Sequence, residues 1–112
     1  MEENIKISKI LSEFCLYLLE NGIDVLSMKV KKNKSRVAFI FECDLLPKEI
    51  LEELDEIFKF KRQQSYEVYG WELIGHGDMD HELTLVSTLI NYFTYYIKDE
   101  RVFFCLVRYE ED

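Results

Sequence analysis

The chain has 112 residues, 48% hydrophobic and 14% aromatic. That is enough apolar material for one compact domain with a buried core and too much for a disordered tail. Its 22 acidic residues against 14 basic ones leave a formal charge of −8, which opposes nucleic-acid phosphates and anionic membranes as partners.

The first predicted element is a helix over residues 3–20. Ile7, Leu11, Phe14 and Leu18 recur at three- and four-residue steps, with Lys6, Lys9, Glu13 and Glu20 largely on another side. Asn21-Gly22 supplies the left-handed stop. The period then falls to two. Leu26, Met28 and Val30 alternate, Lys32-Asn33-Lys34-Ser35 turns, and Val37, Phe39 and Phe41 alternate back. Ala38 and Ile40 make the second arm apolar on both faces, as an interior strand is.

Pro47, the only proline, suits the first turn of a helix, where its missing N–H costs nothing. Leu46, Ile50, Leu54 and Ile57 form the apolar stripe of that helix, and Glu49, Glu52, Glu53 and Glu56 face water. Residues 59–65 read as a polar connection. Ser65 can cap a short helix bearing Tyr66, Tyr69, Trp71 and Leu73, weakened by Gly70. Gly75-His76-Gly77-Asp78 is a loop. Residues 81–90 read as a helix with Leu83, Val86, Leu89 and Ile90 on one stripe. A strand is the rival there, because Thr84, Val86, Thr88 and Ile90 are β-branched at period two. The acidic, capped start favours the helix. A hairpin closes the chain: Phe93 to Lys98, a turn at Asp99-Glu100, then Val102 to Tyr109.

These elements predict one α+β domain over residues 1–112. It is a two-layer sandwich: a four-stranded, mostly antiparallel sheet of two hairpins with the helices on one face. Phe14, Leu18, Leu26, Met28, Phe39, Leu54, Leu85 or Val86, and Leu89 are its expected core. Cys15, Cys43 and Cys105 are odd in number and form no Cys-x-x-Cys pair, as in a reducing compartment. No signal core follows Met1 to Lys9, and Phe14–Leu19 is far short of the roughly 20 apolar residues of a membrane span. The expectation is a cytoplasmic protein.

Glu13-Phe14-Cys15-Leu16-Tyr17 before Asn21-Gly22, then Val37 to Glu42 with Leu46-Pro47-Lys48-Glu49, then Leu83 to Ile90 and the closing hairpin follow one another in a familiar order. This order resembles the ATPase domain of the histidine-kinase-like superfamily, of the anti-sigma-factor kinase type. In that family an acid precedes by four residues the asparagine that holds magnesium, so the resemblance carries over Glu13 and sets Tyr17 in the asparagine's place. Glu42-Cys43-Asp44-Leu45-Leu46 holds no glycine where the family's adenine-binding Asp-x-Gly-x-Gly motif would lie. Asp78-Met79-Asp80-His81-Glu82 replaces the phosphate-cradling glycines. The resemblance therefore implies a degenerate ATPase-like fold that has lost nucleotide binding, with a divergent ATP-binding kinase domain as the alternative. The chain is also similar to small acidic bacterial proteins without an assigned activity.

On chemistry alone, His76, Asp78, Asp80, His81 and Glu82 form the densest polar cluster. One reading is a divalent-metal site of a metal-dependent enzyme; the other is a solvated loop capping a helix. The glycine and closing glutamate of an EF-hand are replaced by Leu83 and Leu89, and the two histidines are five apart, off the helical zinc spacing. No serine lies in a Gly-x-Ser-x-Gly setting, and no catalytic residue or cofactor is assigned. The basic clusters Lys29/Lys31/Lys32/Lys34/Arg36 and Lys59/Lys61/Arg62 read as a solvated hairpin tip and a helix end, or as an anion site. The aromatics Tyr66, Tyr69, Trp71, Tyr92, Tyr95, Tyr96, Phe103 and Tyr109 are left without a catalytic use. They point to a contact surface for a protein partner or a second copy of the chain.

Overall fold

The computed structural model describes residues 2–62 and 83–110. In chain order they form α1 (Glu3–Glu20), β1 (Leu26–Lys32), β2 (Arg36–Asp44), α2 (Lys48–Arg62), α3 (Leu83–Leu89), β3 (Tyr92–Lys98) and β4 (Arg101–Tyr109). The short helix expected after Ser65 and the loop at Gly75–Asp78 lie outside the described residues. The fold is α+β. Its sheet runs β1-β2-β4-β3 with every neighbour antiparallel, so two local hairpins are joined through their inner strands.

The local signals act where the sequence puts them. Gly22 takes φ +91°, the Ile23 N–H reaches Leu18 O, and the Gly22 N–H reaches Leu19 O. This is a Schellman ending, and the paired carbonyls close α1 while Ile23 is buried beside the core. At the first hairpin Asn33 Oδ1 accepts from the Ser35 and Arg36 N–H groups, at 3.0 Å each, a side-chain turn typical of asparagine. Residues 83–89 are helical although β-branched. Thr88 and Ser87 turn their hydroxyls onto the carbonyls of Leu85 and Thr84 (both 2.6 Å), and the helical stripe buries Leu83 and Val86, with Ile90 buried just beyond.

Helix α2 runs on to Arg62, past the expected connection at residue 59. No glycine or proline interrupts it, and Phe58 extends its buried stripe below Leu54.

The three helices among the described residues lie over one face of the sheet. Phe14 of α1 packs on Phe41 (4.6 Å between ring centres) and on Phe104 (5.2 Å), and Phe58 of α2 stacks on Phe93 at 4.4 Å. Such ring pairs add to the stabilisation given by apolar burial. Phe14, Leu18, Phe39, Leu54 and Val86 are buried as expected, whereas Leu26, Leu85 and Leu89 are half-buried. Met28 departs from expectation. It lies on the helix-facing side, opposite buried Phe41, yet is 49% exposed. The alternation in β1 is right, but β1 is an edge strand and α1 does not roof it.

Candidate interaction surface

The strand registers fix what lies on the face turned away from the helices. Ala38 pairs with Val107, and Val107 with Tyr92; Ile40 pairs with Cys105, and Cys105 with Thr94; Glu42 pairs with Phe103, and Phe103 with Tyr96. Side chains of directly paired residues share a face. The centre of this outer face is therefore apolar, built from Ala38, Ile40, Phe103, Cys105 and Val107. Tyr96 stacks on Phe103 with ring centres 4.9 Å apart and planes 10° from parallel, and it remains 59% exposed. Tyr92 and Tyr109 are also exposed on this face.

Charge surrounds that centre. Lys29 pairs with Ile40, Lys31 with Ala38, Arg36 with Tyr109, and Lys98 with Arg101, so all of these bases point outward with the apolar patch. Arg101 is held by Glu42 and Asp44, at 2.8 Å to each. Lys29, Lys31, Arg36 and Lys98 have no ion-pair partner among the described residues. The outer face is thus basic in an acidic protein. At the hairpin end a depression of about 300 Å³ lies over Ala38 and Val107, rimmed by Lys31, Lys32 and Arg36. Small side chains form its floor and cations its rim, with the Glu110 carboxylate 3.6 Å from Lys32.

Other sequence-predicted residues fall elsewhere. Tyr95 is not on the outer face. It pairs with Phe104 on the helix side, and its hydroxyl donates to Asp55 Oδ2 of α2 at 3.1 Å. Glu13 lies within 3.6 Å of Lys9 one turn earlier. Tyr17 is buried in the core, where burial first and then the nearby Glu53 carboxylate raise the phenol's pKa. Tyr66, Tyr69, Trp71, His76, Asp78, Asp80, His81 and Glu82 lie outside the described residues. Among the described residues no group of three or more histidines, cysteines or acids is placed to hold a metal, and no helix is long and apolar enough to cross a membrane.

Sequence reasoning reached the aromatics of this face and the Lys29, Lys31 and Arg36 cluster, but not its floor or the addition of Lys98. Ala38 and Ile40 carried the signal, being apolar on the second face of β2. Joining them to Cys105 and Val107 requires the β2–β4 pairing, which no local motif encodes. No protein-family model, curated protein or solved structure matches the chain.

Proposed function

We propose that this chain is a non-catalytic, regulatory protein-binding domain whose contact surface is the outer face of the sheet. The observation that carries this reading is the Tyr96–Phe103 stack, exposed beside Ile40, Cys105 and Val107 on the face opposite the helices. An apolar patch with tyrosines at its edge is what interface centres are made of. The partner is a different protein that presents an apolar centre ringed by carboxylates, because Lys29, Lys31, Arg36 and Lys98 flank the patch. Two copies placed face to face would set these cations against one another, which disfavours a homodimer through this surface.

The test is affinity capture from the source cell with paired variants. One protein should be retained by the wild type and by Glu52→Lys on the helix side. The same protein should be lost with Phe103→Ser and with Lys31→Glu, each variant first shown to melt cooperatively. Equal capture by all four chains would count against the outer face. Light scattering at several concentrations decides the homodimer form.

The degenerate ATPase-like reading accords with this function, since Tyr17 is packed in the core and Glu13 lies against Lys9. The expected result of a thermal melt with ATP and magnesium is no shift, whereas a ligand at 100 times its Kd adds roughly 2.7 kcal/mol. A shift abolished by Glu13→Ala would favour the divergent kinase domain instead. A shift with zinc or manganese alone would favour a metal-dependent enzyme.

A further inference from the structure

The free edge of β1 differs from the outer face in both geometry and chemistry. The Asn33 N–H donates to Arg36 O at 3.0 Å. Hydrogen bonding in an antiparallel pair alternates, so Lys29 and Lys31 direct their backbone groups to β2. Met28, Val30 and Lys32 direct their N–H and C=O groups outward, to an edge that no described strand covers. The side chains of Met28 and Val30 point to the helix side, opposite Phe41 and Phe39, yet are 49% and 40% exposed. Between Met28 and α1 runs a groove of about 450 Å³ whose walls include Leu11, Cys15, Leu16, Leu19 and Met28.

An edge strand bearing lysines is commonly a guard against pairing with a copy of itself. A guard alone does not require an open apolar groove beside it. Lys29 and Lys31 would meet lysines if two β1 strands paired, but acids if an acidic strand were added. We infer that the β1 edge and its groove form a docking site for one extended acidic peptide segment of a partner protein. That segment would add as a fifth strand, with alternate apolar side chains entering the groove below α1 and its acids beside Lys29 and Lys31. The site uses the edge backbone and helix side of β1 and shares only Lys29 and Lys31 with the outer face. Phe103→Ser on the outer face therefore leaves it intact, and either site can fail without the other.

The probe is a seven-residue peptide of alternating glutamate and valine, capped at both ends, with a lysine–valine peptide as its counterpart. The receptor is the full chain carrying Cys105→Ala, so that Cys15 reports on the groove. At ten times its Kd the acidic peptide should slow amide exchange at Met28 and Val30, and alkylation of Cys15, by roughly tenfold. The lysine peptide should do neither, and Lys29→Glu with Lys31→Glu should reverse the preference. Met28→Lys, at a half-exposed position where folding is spared, should abolish the protection. Equal protection by both peptides, protection by neither, or protection confined to the β3 edge would overturn the proposal.

Discussion

Arg108 near the end of β4 and Glu3 in the first turn of α1 are joined by two hydrogen bonds, Nε to Oε2 at 2.9 Å and Nη2 to Oε1 at 3.0 Å. Arg108 is only 4% exposed, and its Nη1 donates at 2.6 Å to Leu89 O, at the C-terminus of α3. One guanidinium thus pins the start of α1 and the end of α3 to the sheet, and its charge complements the α3 dipole.

Removing that guanidinium leaves a helix-end carbonyl and a carboxylate unpartnered. Arg108→Ala should cost about 3 kcal/mol, the low end for a broken buried pair because Glu3 is partly exposed. Arg108→Lys should recover only part of the loss, since lysine lacks the fork. Urea denaturation of the three chains measures both differences.

The same pair has a pH signature. The hydrogen bonds from Arg108 hold the Glu3 carboxyl below its ordinary value of 4.5, against burial, which raises it; the charges of Arg108, Lys6 and Lys32 lower it further. With the folded pKa depressed, the contribution is fully present above pH 4.5 and is lost as the pH falls through the folded value. The stability gap between the wild type and Glu3→Gln should therefore be constant from pH 7 to 5 and narrow below 4.5. A gap independent of pH down to 3 would show that the carboxylate contributes nothing through its charge.

The β3–β4 turn is strained by its residues. Asp99 and Glu100 take φ +52° and +62°, the conformation of a two-residue hairpin that favours Asn-Gly. Replacing Asp99-Glu100 by Asn-Gly should stabilise the chain by about 1 kcal/mol, or about 4 °C in Tm, because glycine at the second position carries no steric penalty. The backbone bond from Leu45 N–H to Glu100 O at 3.0 Å is kept by the change.

Thiol chemistry separates the cysteines by depth. Burial pushes the Cys43 thiol up to about 11 and also raises Cys105. Since the thiolate is the nucleophile, Cys43, fully buried, should react with a disulfide reagent at pH 8 only at the rate of unfolding. Rapid modification of Cys43 in the native chain would contradict its place in the core.

The fold was legible where periodicity and punctuation agreed. Asn21-Gly22, the Asn33 turn and the stripe on α2 each fix their element through contacts a few residues apart. The helix at 83–89 matches the stripe of Leu83, Val86, Leu89 and Ile90, while the acidic start that favoured it over a strand lies outside the described residues. What was hidden depends on neighbours distant in sequence. Met28 reads as core by alternation, but its exposure follows from β1 being an edge strand with an open groove between it and α1. Tyr95 reads as surface, but α2 brings Asp55 to its hydroxyl. Lys29, Lys31 and Arg36 share a face within the first hairpin and were legible as a basic cluster, but Lys98 joins them only when β2 pairs with β4 and β4 with β3.

The most direct test of binding through the outer face is photo-crosslinking from that face in the cell. A benzophenone amino acid replaces Tyr96, and in a second chain replaces Glu52 on the helix side. The expected result is one discrete crosslinked protein from position 96 and none from position 52, with the product lost when Lys29 and Lys31 are both changed to glutamate. No product from position 96, or the same products from both positions, would contradict a partner seated on the outer face.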